Sequence, residues 1–245
     1  MQVEIREEER LDDLELKGLK IIQDPSKFCF GIDAVLLSDF TKVKPGENVL
    51  DIGTGTGIIP LLLSAKTAAK HITAVEIQPD MADMAKRSVL YNNLQDRIDI
   101  ICNDIKRADS FIKKSSVDVV VSNPPYIKSS HAITNPKDSL RLARHEIACT
   151  LEDILSAASN ILKYHGRFYM IHKAHRLTEI VCKMRDYKLE LKRLRSIHPF
   201  ADKPAKMVLI EGVKQANPWL DIDPPLIIYK NDTEYTEEII KIYGK

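Results

Sequence analysis

The stretch Val49–Gly57, "VLDIGTGTG", decides the fold. It belongs to an apolar run, "NVLDI" (48–52), that reads as a buried strand and carries one acid, Asp51, near its end. Three alternating glycines follow, Gly53, Gly55 and Gly57, which let a backbone bend tightly and approach a ligand closely. A helix then starts at about Ile58, with Pro60 in its first turn, where a missing N–H costs little. The turn is not the dinucleotide fingerprint, because GxGxxG counted from Gly53 requires a glycine where Ile58 stands. No Lys-Ser/Thr pair follows, so it is not a phosphate-binding P-loop either. A tight turn in an α/β domain without a nucleotide is the plain alternative, and the acids further along argue against it.

Downstream the same rhythm repeats. "HITAVEI" (71–77), "RIDIICND" (97–104), "VDVVVSN" (117–123) and "RFYMIHK" (167–173) read as strands. Between them lie an amphipathic helix from Pro79 to about Asn92 and helices near 107–114 and 151–163. Strands alternating with helices predict a mainly parallel sheet covered on both faces, an α/β Rossmann-like fold. "KLELKRLRSIHPF" (188–200) and "AKMVLIEGVK" (205–214) predict an antiparallel pair at one edge. Upstream, "LELKGLKIIQD" (14–24) predicts a hairpin turning at Lys17-Gly18, and "IDAVLLSDF" (32–40) a short helix. After the Pro-rich "NPWLDIDPP" come a short strand, "LIIY", and a last helix over 234–243. The expected organisation is an N-terminal hairpin and cap helix (1–47), a catalytic domain (48–215), and a C-terminal extension packed on it (216–245).

Composition narrows the class. The chain has 245 residues, 44% hydrophobic and 29% charged, with a formal net charge of +1, so any attraction to nucleic acid must be local. Cys29, Cys102, Cys149 and Cys182 are scattered, which argues against a disulfide framework or a structural zinc site. His172 and His175 are the only neighbouring histidines; without a nearby Cys or acid they read as structural or surface residues, and no metal is expected. The charged N-terminus lacks a signal-peptide core, and the strongest apolar run (57–65) is too short to span a bilayer. A cytoplasmic location is expected.

The chemistry collects at the strand ends, where open parallel sheets bind ligands. Glu76 ends the second core strand, about 20 residues beyond the glycine turn, where an acid can accept from both ribose hydroxyls. Asp104, in "NDI" at the third strand end, can accept from an adenine amino group while Ile105 packs on the ring. "NPPY" opens after the fourth strand. The residue before a proline is driven to extended geometry, so Asn123 and Pro124 are held stiffly. The Asn123 side-chain oxygen and the Pro124 carbonyl can converge on one donor bearing two N–H bonds, and Tyr126 offers a face for a flat ring. Two acceptors on an exocyclic amine return electron density to nitrogen and aim its lone pair at an electrophile.

Taken in this order, GxGxG, the strand-end Glu, Asp-Ile and NPPY resemble the S-adenosylmethionine-dependent amino-methyltransferases of the Rossmann-like type. "FCFGIDAVLLSDF" (28–40) is similar to the segment closing over the methionine end of the cofactor in the N6-adenine group, with Phe30 and Asp33 as matching positions. "RLARHE" (141–146), "HPFADKPAKMVLIEGVK" and the tail resemble one branch, the bacterial valine-tRNA N6-methyltransferases, which act on the adenine 3′ of the anticodon. The resemblance implies S-adenosyl-L-methionine as cofactor, held by Phe30, Asp33, Asp51, Gly53, Gly55, Gly57, Glu76, Ile77, Asp104, Ile105 and Asn123. It implies that Asn123, Pro124, Pro125 and Tyr126 carry the transfer.

A tRNA partner would meet two basic segments, the loop 128–145 and the stretch 188–206, whose phosphate contacts would be salt-dependent and blind to sequence. An adenine in an anticodon loop is cheaper to unstack than one in a duplex. Three other readings carry weight. A release-factor glutamine methyltransferase poses the same amide chemistry, but members carry a larger helical N-terminal domain. A ribosomal-RNA guanine N2-methyltransferase often carries a degenerate second half. A non-catalytic RNA-binding module would leave the cofactor turn and NPPY without purpose.

Overall fold

The computed structural model describes residues 3–27, 29–124 and 149–244. Strands β3 (Asn48–Ile52), β4 (His71–Glu76), β5 (Ile98–Cys102), β6 (Val117–Ser122) and β7 (Leu162–Lys173) run parallel in the order β5-β4-β3-β6-β7. Next to β7 lies β9 (Met207–Lys214), antiparallel to it and to the following strand, β8 (Leu189–His198). Two short strands, β10 (Asp221–Ile222) and β11 (Leu226–Ile227), add in parallel to the far side of β8. The expected antiparallel pair is therefore present, with β9 the reversed member.

Period-two alternation explains why both faces are covered. Val49, Val119, Val121, Tyr169 and Ile171 pack under α1 (Ile32–Phe40), α2 (Ile58–Lys66) and α6 (Glu237–Ile242). Leu50, Ile52, Val120, Phe168 and Met170 point the other way, onto α4 (Leu151–Ile161) and α5 (Leu177–Asp186). Thr150 and Asp153 form a capping box that fixes where α4 begins. Among the described residues no helix is long and apolar enough to cross a membrane.

Several expected boundaries shift for physical reasons. The hairpin strands are β1 (Arg10–Asp13) and β2 (Lys20–Gln23), so the first strand lies upstream of its expected place. Glu15 and Lys17 adopt φ of 51° and 50°, outside strand geometry, while Leu14 turns into the core. The hairpin docks on α3 (Pro79–Tyr91). Ser88 Oγ accepts from Ile22 N, the Asn92 side chain pairs with both backbone groups of Lys20, and Arg87 forks onto Glu9 at 2.6 and 2.7 Å. Side chains of α3 thus satisfy part of the open edge of β2.

In place of a helix over 107–114 there is a 3₁₀ turn over Ile105–Ser110, capped by Asp104 and interrupted by the non-helical Arg107. The helix expected to reach 163 ends at Ile161, and β7 starts at once from Leu162 through a register shift against β6. The tail keeps its expected elements in shorter form. Only Leu226–Ile227 of "LIIY" ladders onto the sheet, and the last helix starts at Glu237 after a Thr236 cap.

Candidate active site

The sheet changes direction of growth between β3 and β6: β4 and β5 add on one side, β7 on the other. Such a point leaves a crevice outside the carboxyl ends of the strands. Ser122, at the end of β6, donates its hydroxyl to the Ile52 carbonyl at the end of β3, 3.0 Å away and buried. Beyond that bond the two chains diverge, one into the glycine turn and one into Asn123-Pro124.

The glycine turn folds over the end of β4, with the N–H groups of Gly53 and Thr54 both donating to Val75 O at 2.9 and 3.1 Å. Gly53 takes φ of 76°, and among the described residues nothing lies within 4 Å of where its Cβ would project. Gly57 is required for another reason. At φ of 90° it begins α2, and a Cβ there would sit 3.2 Å from Ala85 Cβ of α3. One glycine leaves room for a ligand; the other lets two helices touch.

Two buried carboxylates flank the turn. Asp51 is fully buried, and neither of its oxygens nor Thr54 Oγ1 has a hydrogen-bond partner among the described residues. Burial pushes the Asp51 carboxyl up to about 7; the nearby Thr54 hydroxyl opposes this shift without meeting hydrogen-bond geometry, and the charge of Glu76 adds to it. Buried polar groups in folded proteins are normally satisfied, so this trio fits a site completed by a polar ligand. Glu76 is 5% exposed; its Oε2 accepts from Gly55 N and its Oε1 from Gln78 N, both at 2.9 Å. The Gln78 side chain also donates to Oε1, at 3.4 Å; a carboxylate has about four acceptor positions, so one stays open for a hydroxyl and a second opens if the long Gln78 bond gives way.

One strand further, Asn103 N donates to Glu76 O, which ties the end of β5 to the end of β4. Asp104 accepts from Lys106 N at 3.0 Å, and Ile105 is buried beside it. Ile77 is 39% exposed, a large apolar side chain left at the mouth of the crevice. Cys149, before α4, lies near this end. Its thiol is pushed up to about 12, mainly by burial, with Asp153, Asp104 and Glu76 all near enough to add to the shift. Scattered cysteines gave no hint of this position.

On the other side of the crevice stand Asn123 and the buried Pro124. Pro125, Tyr126, the basic loop 128–145 and the "RLARHE" segment lie outside the described residues. Continuing the β6–β7 register beyond Ser122↔Met170 sets Pro124 level with His172. His172 is buried, accepts from Lys173 N at 2.8 Å, and is driven down to about 4 by burial and then by Arg176, so it is a neutral imidazole at physiological pH. Asp33, in the first turn of α1, also reaches this corner: burial raises its carboxyl and Lys173 opposes the rise. Phe30 instead shares a groove of about 290 Å³ with Ile58, Leu62, Tyr235 and Tyr243.

The stretch 188–206 divides in two. Arg193 pairs with Asp223 and Glu211 at 2.7 and 3.4 Å and lies 4.0 Å over the Phe40 ring. Arg195 bonds Glu238 and the Pro224 carbonyl, and Lys192 bonds the Asn217 carbonyl. These cations fasten the C-terminal extension to the sheet. Lys203 and Lys206, in the β8–β9 loop, stay exposed.

Comparison with known proteins agrees with this architecture. Residues 19–186 match the family model "Methyltransferase small domain". A Porphyromonas gingivalis protein named tRNA1(Val) (adenine(37)-N6)-methyltransferase is 32% identical over 241 residues, covering 94% of this chain and 93% of that one. A protein of the same name from Tolumonas auensis is 27% identical, covering 92% of each. Among solved structures, an Agrobacterium tumefaciens protein described as a predicted O-methyltransferase superposes with a TM-score of 0.70 at 20% identity, over 86% of this chain and 95% of that one. TYW2 of P. horikoshii in complex with MeSAdo gives 0.60 at 16% identity, over 86% and 73%.

Proposed function

Since the chain belongs to the methyltransferase small-domain family, we propose that it uses S-adenosyl-L-methionine to methylate the exocyclic N6 amine of an adenine in tRNA. The substrate that its relatives' names suggest is the anticodon-loop adenine of valine tRNA. The observation that carries the reading is the pairing across one switch point. An unpartnered buried Asp51 and an acid-lined open glycine turn lie on one side, and the rigid Asn123-Pro124 end of β6 on the other.

Asp51 and Thr54 offer three unused polar atoms to the amino-acid end of the cofactor, Glu76 takes the ribose hydroxyls, and Asp104 with Ile77 and Ile105 holds the adenine. Phe30 and Asp33 belong to the segment that would close over the methionine end. When bound, S-adenosylmethionine supplies a methyl group on a positively charged sulfur. Asn123 Oδ1 and the Pro124 carbonyl hold the two protons of the target amine, which fixes the direction of its lone pair. Pro125 stiffens this turn and Tyr126 stacks the target base. No strong base is required, and the neutral His172 nearby is consistent with catalysis by positioning.

The direct test incubates the protein with radiolabelled cofactor and bulk tRNA, ribosomal subunits or release factor, then digests each product. Label is expected in N6-methyladenine from tRNA. Label in a protein glutamine or in guanine N2 of ribosomal RNA would overturn the assignment.

A further inference from the structure

The carboxyl-end rim of the sheet continues past the target side of the crevice, and its side chains change character along the way. At the end of β7 stand Lys173, His175 and Arg176, none of them in the two segments singled out from sequence. Ala174 N donates to Lys206 O at 3.1 Å, so Lys206 is the next cation along the rim. Lys206 N in turn donates to Ile197 O of β8, and His198 Nδ1 lies 2.7 Å from Lys203 O. Beyond Lys203 the rim becomes aromatic. Tyr229 N bonds Pro199 O at 2.9 Å, and ring centroids follow one another from Phe200 to Tyr229 (5.6 Å), to Tyr235 (5.1 Å) and to Tyr243 (6.2 Å).

The acids of this rim collect at its aromatic end, where Glu237 pairs with Lys230, Glu238 pairs with Arg195, and Asp232 and Glu234 stand exposed beside Tyr235; along the lysines they are few. Glu179 pairs with Arg176, and Asp202 pairs with Lys203 on the open surface. Lys206 is exposed and makes no ion pair among the described residues. Tyr235 is 41% exposed although it sits in the middle of the aromatic row. Phe200, Tyr229 and Tyr243 are half-buried and Tyr229 and Tyr243 stack on Tyr235, which is the exposed member of the row. Cations followed by such a ring match what single-stranded nucleic acid requires: phosphates meet the charges and a base meets the uncovered part of Tyr235.

We propose that this rim, from Lys173 through Lys206 and Lys203 to Phe200 and Tyr235, is an RNA-binding track. It holds the single-stranded nucleotides beside the target adenine, with their phosphates on the lysines and a flanking base on Tyr235. The inference rests on the tRNA reading above and adds the surface that delivers the substrate. It also accounts for a design detail: because β9 is reversed, the β8–β9 loop lies at the same sheet edge as Asn123.

The test compares wild type, Lys203→Ala/Lys206→Ala, Tyr235→Ala and Tyr235→Phe. Binding of a fluorescent anticodon stem-loop RNA is followed by anisotropy over a range of salt, and cofactor affinity by calorimetry. Removing two phosphate contacts should flatten the log–log salt slope by roughly 1.5. Losing a stacked base should weaken RNA binding about 5- to 100-fold at constant salt slope, with Tyr235→Phe close to wild type. Cofactor affinity should hold in Lys203→Ala/Lys206→Ala and in Tyr235→Phe; Tyr235→Ala, which opens the groove shared with Phe30, is read by RNA binding and its salt slope. Should Tyr235→Ala fail to fold, the lysine pair carries the test alone. If wild type methylates tRNA but the variants bind RNA as it does, the track is refuted and the tRNA reading stands. If wild type neither binds nor methylates RNA, or the variants lose a protein substrate instead, both fall.

Discussion

Gly55 donates its backbone N–H to Glu76 Oε2 at 2.9 Å, so the acid expected to hold a ribose also holds the turn beside it. The same carboxylate accepts from Gln78 N, which makes Glu76 a brace between the ends of β3 and β4. Glu76→Ala should therefore weaken cofactor binding by more than two lost hydroxyl bonds would. Hydrogen bonds to charged groups contribute about 1.5–3 kcal/mol each, so a loss of at least about a hundredfold is expected by calorimetry. Amide exchange at Gly55 should accelerate in the same variant without ligand. Unchanged exchange would show that the turn stands without the brace.

Asp51 gives a pH signature. Its carboxyl rises from 3.8 to about 7 through burial, so the folded chain binds this proton more tightly than the unfolded one. The stability it contributes is fully present below about pH 4 and lost as pH climbs through about 7. Relative to Asp51→Asn, wild type should lose stability across that window, on the order of 3–5 kcal/mol. Chemical denaturation of both proteins at several pH values measures the difference; a gap independent of pH would refute the raised carboxyl.

The glycines should separate binding from folding. Gly57→Ala meets Ala85 at 3.2 Å with φ of 90° and should cost about 2 kcal/mol or more in a denaturation curve. Gly53→Ala has φ of 76° but open space, so its folding cost should stay near 1–2 kcal/mol while cofactor affinity falls further. Equal effects on both quantities in both variants would contradict the division.

Asn123→Ala should leave cofactor binding within a few-fold of wild type while methyl transfer drops about a hundredfold or more, the scale expected when a positioning contact is lost. Turnover near wild type would remove Asn123 from the proposed amine clamp.

Arg193→Ala should loosen the C-terminal extension, because this cation joins Asp223, Glu211 and the Phe40 ring at once. A loss of about 2 kcal/mol and faster proteolysis after residue 215 are expected, with Arg193→Lys only a partial rescue since it lacks the planar fork. Wild-type resistance in Arg193→Ala would mean that α6 anchors the tail without it.

The parts of the fold that sequence made legible are those whose cause is local. Gly53, Gly55 and Gly57 declare a backbone that other residues resist, and β3, β4 and β6 are apolar on both faces because both are covered. Arg193 and Arg195 read as a basic surface because charge along a chain does not reveal what stands opposite. Their partners Asp223 and Glu238 lie 30 and 43 residues away. The same limit hid Ser122, whose role depends on a carbonyl 70 residues earlier, and Thr54, whose hydroxyl matters because burial isolates it. Glu15 and Lys17 displaced the hairpin strand through positive φ values that neither residue type advertises.

The Ser122–Ile52 bond has a mechanical consequence. It ties the two strand ends from which the glycine turn and Asn123-Pro124 leave, so the spacing of these two segments at the sheet is set by the β3–β6 register. One residue of slip in β6 would carry Asn123 about 3.3 Å and turn it to the opposite face. A displacement that large exceeds the tolerance of a near-attack geometry. Drift in this enzyme is thus expected to be stringent at one serine hydroxyl buried within the sheet.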